Sequence, residues 1–210
     1  MKSNSRREKL CRARNESCSF QRPWVAHDAT PVPVGAAPLQ GRAWYIEEGF
    51  TNTRGTGGMM DRGFIEENEA ALVELRELVS RLDEHALQSA VGADWTVSTL
   101  LCHLAFWDQR ILFLLRDWQS GHFEASRLSS QSVDSINHAV KVISSSVPGR
   151  AAATLALDAA TAVDSQLAGI SDELIEQIVS AGFERVLRRS LHRREHLRRI
   201  KKALQPRFSR

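Results

Sequence analysis

Three histidines stand where they could hold a metal. His192 and His196 are four residues apart in Leu191-His-Arg-Arg-Glu-His-Leu-Arg-Arg-Ile200. On a helix that spacing puts both imidazoles on one face, about 6 Å apart, near enough to share one ion. His103 lies inside an apolar stripe in which Leu100, Leu104, Trp107, Ile111, Leu114 and Trp118 recur at helical intervals. Three imidazoles from two helices make a neutral donor set that suits zinc, nickel, iron and copper. Spacing does not choose among divalent ions, manganese included. Each pattern also has a plainer reading: a core histidine with one hydrogen bond for His103, and a solvated arginine-rich face for the pair. Helical phase puts the pair near Ile200 and Ala203, off the centre of the Phe183, Val186, Leu187, Leu197 and Leu204 stripe. It should therefore face a neighbouring groove or a pocket mouth, which suits an open catalytic site.

Other chemistries find little support. The three cysteines, Cys11, Cys18 and Cys102, form no Cys-x-x-Cys pair, so thiolate zinc fingers and thioredoxin-like redox sites are not expected. Cys102 precedes His103 directly, and neighbours on a helix point about 100° apart, so the two cannot work as nucleophile and base. Cys102 reads as a small buried hydrophobe. Arg54-Gly-Thr-Gly-Gly58 is glycine-rich but follows no strand, so a phosphate loop is not expected. No catalytic residue is assigned.

Asp94-Trp-Thr-Val-Ser-Thr-Leu-Leu-Cys-His-Leu-Ala-Phe-Trp-Asp-Gln-Arg110 resembles the helix-two signature of the DinB/YfiT-like superfamily. That signature is Trp-Thr, a short gap, His-Leu-Ala and an aromatic-Asp pair. The stretch 191–200 resembles the family's C-terminal His-x-x-x-His motif followed by Ile. The likeness covers about residues 60–204, with the motifs in the family's order. It implies an up-down-down-up four-helix bundle and one divalent metal on His103, His192 and His196. Relatives use low-molecular-weight thiols such as mycothiol, bacillithiol or glutathione for S-transfer or thiol-assisted isomerisation, as in maleylpyruvate isomerase. Others hydrolyse reactive electrophiles. The resemblance thus implies a metal-dependent thiol S-transferase-like or hydrolytic enzyme acting on a small electrophile, and a homodimer by analogy.

Around these histidines, Arg185 and Arg189 share the histidine side of a continuous last helix, and one of them is expected to pair with an anionic substrate group. A solvated arginine face is the plainer alternative. Trp107, one turn from His103, is expected to wall the site or simply fill the core. Asp108 and Glu195 are candidate acceptors for imidazole N–H groups.

Helices must carry this site. An apolar face of Phe64, Leu72, Leu75, Leu78, Val79 and Leu82 predicts a first helix over 62–83. After a link at 84–95, Thr96 is a good N-cap for a second helix over 97–119. The serine-rich stretch 126–132 breaks the pattern. A third helical region starts near Val133 with Ile136, Val140 and Ile143, and Pro148 restarts it. Its alanine-rich part, 151–168, should bury Leu155, Leu157, Val163 and Leu167, with Gly169 as a C′ residue. Residues 171–180 read as a short helix with an incomplete capping box. The last helix should run over 183–204 and stop before Pro206. No strand alternation stands out beyond residue 60. The fold expected is all-α, a four-helix bundle over 59–206 with a short tail at 207–210.

Residues 1–58 show no sustained period and hold four of the six prolines, so they are expected to be a disordered basic extension. Met59 and Met60 stand where the helical pattern begins, so the upstream part also reads as an over-called start. Arg6-Arg7 is followed by no apolar run, so an export signal is not expected.

The chain of 210 residues has a formal net charge of +3, and that total hides its distribution. Residues 1–58 carry nine basic and five acidic residues; 59–183 carry eight and eighteen; 184–210 carry eleven and two. An acidic body thus bears one very basic helix. The bases circle that helix and no aromatic residues accompany them for stacking, so nucleic-acid binding is not expected. A metal-free binding or scaffold protein on the same bundle is the main alternative function. No run of 18 apolar residues occurs, so no membrane span is expected. The odd, low cysteine count suits a reducing cytoplasm.

Overall fold

The computed structural model describes residues 61–208, with side chains to Gln205. The expectations for residues 1–58 and the last two residues of the tail lie outside that range. The described chain runs α1 (Gly63–Ser80), α2 (Glu84–Leu87), β1 (Ala90–Val91), β2 (Trp95–Thr96), α3 (Val97–Gln119), α4 (Ser130–Ser144), α5 (Gly149–Ala168), α6 (Asp172–Ser180), α7 (Glu184–Leu187) and α8 (Arg189–Phe208). It is mostly helical, with one two-stranded antiparallel ribbon that pairs Ala90 with Thr96 and Val91 with Trp95. The ribbon was not expected, because two residues per strand cannot show an alternation. Gly92 closes it at φ 74, a conformation that glycine adopts without strain. Among the described residues no helix is long and apolar enough to cross a membrane.

Helix α3 starts where Thr96 predicts. The Thr96 hydroxyl accepts the Thr99 N–H at 3.2 Å, and the Thr96 N–H donates to Thr99 Oγ1 at 2.9 Å. This is a reciprocal cap with threonine in the place usually held by Glu or Gln. Ser129 caps α4 by accepting the Ser132 N–H at 3.1 Å, so the serine-rich break also supplies the next helix start. In α4, Ile143 is exposed and Val133 is the one apolar side chain that is buried.

The most extensive helix contact joins α3 and α5, and α1 packs on both α8 and α5. In α5, Val163 and Leu167 of the expected set are buried, and alanines make up the rest of the buried face. Leu155 is exposed and Leu157 half-buried, while Ala152, Ala153, Ala156, Ala159 and Ala160 are buried with Val163 and Leu167. Small side chains let two helix backbones approach closely, and helical phase turns Leu155 about 100° away from that face. Gly169 ends α5 at φ −95 and not in the left-handed region.

The last helix is not continuous. α7 ends at Leu187, the ψ of 70 at Arg188 leaves the helical range, and α8 restarts at Arg189. Asn68, buried on α1, bridges the break. Its amide donates to the Leu187 carbonyl at 2.8 Å, and its carbonyl accepts the Ser190 N–H at 2.8 Å. Two backbone groups that a helix end leaves unpartnered are thus satisfied by one distant side chain. α8 also runs past Pro206, where a proline removes only one bond from the final turn.

Candidate metal centre

His103 comes from the first half of α3, and His192 and His196 from the first two turns of α8. Their three Nε2 atoms converge. His192 Nε2 lies 3.2 Å from His103 Nε2 and 3.0 Å from His196 Nε2. The ligand atoms of all three lie within 4.8 Å of one another. With metal–nitrogen bonds of about 2.0–2.1 Å, two ligands at a tetrahedral angle sit about 3.4 Å apart, and at a right angle about 3.0 Å. The observed separations fall close to that range.

The ring environment favours neutral imidazole. His103 is 5% exposed and His196 2%, while His192 is half-buried. Burial, then the charges of Arg199 and Arg189, pushes the His103 pKa down to about 4 against a weaker pull from Asp108. Burial also holds His192 well below its ordinary value, helped by His196, Arg189, His103 and Arg193. His196 is lowered by burial, His103, Arg199 and Arg189. At neutral pH the rings therefore keep lone pairs for a cation. Without a cation the cluster is poorly matched, because one His192 Nε2 cannot serve both neighbours with a single hydrogen. His103 Nδ1 is buried with no hydrogen-bond partner among the described residues.

The walls are aromatic. Trp95, placed by β2, meets the His103 ring edge-on at 5.3 Å between centroids, and Trp107 does so from the other turn at 6.3 Å. Trp107 is both core and wall, and its indole N–H donates to Asn137 Oδ1 on α4 at 3.0 Å. His192 is the more accessible of the pair, and His196 is inside.

Compared with protein-family models, curated proteins and solved structures, the chain matches none.

Beside the histidines lies a buried ionic cluster. Asp108 on α3 accepts from Arg189 Nε at 2.8 Å and from Arg193 Nε at 2.9 Å. Arg193, 0% exposed, also grips Asp164 on α5 with both terminal nitrogens, at 2.7 and 2.9 Å. Burial works against the Arg193 cation, yet Asp108 and Asp164 together hold its pKa above the usual value. Two cations and two carboxylates leave the cluster neutral, as a buried set requires.

Several expected roles change. Asp108 binds two arginines, not an imidazole N–H. Glu195 is engaged by Arg198. Arg189 is buried, holding Asp108 and donating to His192 Nδ1 at 3.1 Å. Arg185 is exposed on α7, beyond the break, so the helical phase that aligned it with His192 does not apply. Arg193, Asp164 and Asn68 were not singled out, although a signal existed. Asp108 lies four residues after Leu104 and three before Ile111, and Asp164 four after Ala160 and three before Leu167. A carboxylate in an apolar register calls for a buried cation, and Arg193, four before Leu197, is in register to supply it.

Proposed function

We propose that this chain is a DinB/YfiT-like protein that binds one divalent metal through His103, His192 and His196. In this reading α1, α3, α5 and α8 are the members of an up-down-down-up four-helix bundle. The observation that carries it is the convergence of three Nε2 atoms at 3.0 and 3.2 Å, on two buried rings and one half-buried ring whose pKa values are all depressed. Both stretches that resemble the family lie where the reading needs them, on α3 and α8.

The activity we assign is metal-dependent S-transfer from a low-molecular-weight thiol to a small electrophile, or hydrolysis of such an electrophile. A divalent ion held by three neutral imidazoles keeps its full charge and an open position, and there acts as a Lewis acid that favours the thiolate form of an entering thiol. The chain's own part is to hold and shield. His103 and His196 are anchored in the core, and His192 stands at the accessible side. Trp95 and Trp107 keep water from the His103 side, which strengthens electrostatic interactions in the site. The partners assigned are a thiol and a small molecule, and the protein works as a homodimer in the cytoplasm.

Elemental analysis tests the reading on untagged protein. Wild type should carry about one divalent ion per chain, and His103→Ala should lose it, because two imidazoles alone bind far more weakly. Equal metal content in the two proteins would sink it. A thiol-consumption screen with mycothiol, bacillithiol and glutathione then separates transfer from hydrolysis.

A further inference from the structure

Arg189 occupies an unusual place for a residue beside a metal ligand. Its Nη2 points at His192 Nδ1 at 3.1 Å while its Nε holds Asp108 Oδ1 at 2.8 Å. A metal-ligating histidine ordinarily gives its second ring N–H to a carboxylate, a carbonyl or a water. Here a guanidinium fills that place, and it bridges the ring to the Asp108 carboxylate. Guanidinium carries donors only. When His192 Nε2 gives its lone pair to a metal, a neutral ring carries its hydrogen on Nδ1. Two N–H groups, from Arg189 and from His192, would then face each other. The contact present and metal ligation by a neutral His192 are therefore incompatible.

We propose that Arg189 is a latch on the metal centre: its hydrogen bond to His192 Nδ1 must open for the site to load, so that Arg189 sets the metal affinity by opposing it. On opening, the His192 Nδ1–H is freed to donate to a water, an ordinary outer-shell arrangement. Asp108 does not become an orphan, because Arg193 still holds its Oδ2 at 2.9 Å. The latch sits on the one ligand of the three that is half-buried. Arg189 is a positioning residue in this account and acts only through His192. The inference rests on the reading that these histidines hold a metal.

The test is the Zn2+ dissociation constant of the full-length, untagged chain, measured by competition with a chromophoric chelator. Arg189→Gln offers an acceptor to Nδ1–H and a donor to Asp108. It should bind Zn2+ roughly tenfold more tightly or better, the scale of outer-shell effects at metal sites. Arg189→Lys keeps a donor-only head and should stay within about threefold of wild type on the same scale. Arg189→Met, which removes the donor without adding an acceptor, should lie between them and decides the matter if the Gln variant does not fold, as judged by circular dichroism. Equal or weaker Zn2+ binding by the Gln variant, or by the Met variant in its stead, overturns the latch; the weaker case would make Arg189 a support for an anionic imidazole ligand. His103→Ala keeps the two failures apart: if it binds as wild type does, the metal reading itself falls, whereas a wild type that depends on His103 beside an unaltered Arg189→Gln removes the latch alone.

Discussion

At the scale of residues, the histidine cluster combines two demands that usually conflict. Burying three ionisable rings together is costly if any becomes charged, and the charges of Arg189 and Arg199 make protonation harder still. The consequence is a stability that depends on pH. His103 titrates near 4 in the fold against an ordinary 6.5. The unfolded chain therefore binds more protons between those values, and stability is complete above 6.5 and falls as the pH drops toward 4. For His103 alone the loss is about 3 kcal/mol, and His192 and His196 add to it in the same direction. Urea unfolding of the metal-free protein at pH 7.5 and 4.5 should record the fall, and His103→Ala should flatten it. An unchanged midpoint across that window would contradict the burial of these rings. Arg189 was legible as a site residue but its work was not. Helical phase places it beside His192, yet only the neighbouring Asp108 decides that its guanidinium bridges inward instead of reaching for a substrate.

Elements show where local patterning stops being informative. Thr96 starts α3 as its type demands, and Val97–Gln119 matches the expected helix over 97–119. The break between α7 and α8 has no such marker, since neither glycine nor proline stands near Arg188. What satisfies it is Asn68, more than a hundred residues earlier, which accepts and donates at the two backbone groups the break exposes. Asn68→Ala leaves the Leu187 carbonyl and the Ser190 N–H buried without those bonds. At about 1–3 kcal/mol for each group, roughly 2–6 kcal/mol of stability should be lost. Because Ser190 begins the turn that carries His192, Zn2+ affinity should fall as well. Asn68→Asp keeps the acceptor and should lose only part of both. Chemical denaturation and chelator competition on the two variants check this, and a neutral Asn68→Ala would refute it.

Across the whole molecule, one polar layer divides the core. An apolar cluster from Leu72 to Leu104, with Ala152–Ala160 and Leu197–Leu204, lies on one side; another, from Phe64, Ile111–Trp118 and Val163–Leu187, lies on the other. Between them α3 and α5 each supply one carboxylate, Asp108 and Asp164, and α8 supplies Arg193, whose Nη1 also reaches the Asn68 carbonyl of α1 at 3.4 Å. Arg193 thus touches all of the four longest packed helices. Further out, the basic face of α8 pairs with the acidic body through Arg194–Glu74 and Lys201–Glu74, and Arg188 beside the break pairs with Glu67. These exposed pairs contribute little singly. The buried one is different, because removing a partner leaves uncompensated charge. Arg193→Met, with Asp108 and Asp164 stranded on that side, should cost about 3–5 kcal/mol in urea unfolding. A loss under about 1 kcal/mol would mean that the layer is dispensable.

Sequence by itself determined the helical class, the start of α3, the stripe carrying His103 and the identity of the three histidines. Each follows from periodicity and side-chain type within a few turns of chain. What only the tertiary structure decided are the contacts between distant segments: the alanine face of α5, the break at Arg188, the Arg193 cluster and the inward turn of Arg189. A helical period says which residues share a face. It does not say which charge, 80 or more residues away, will meet that face, because that is fixed by how the helices cross.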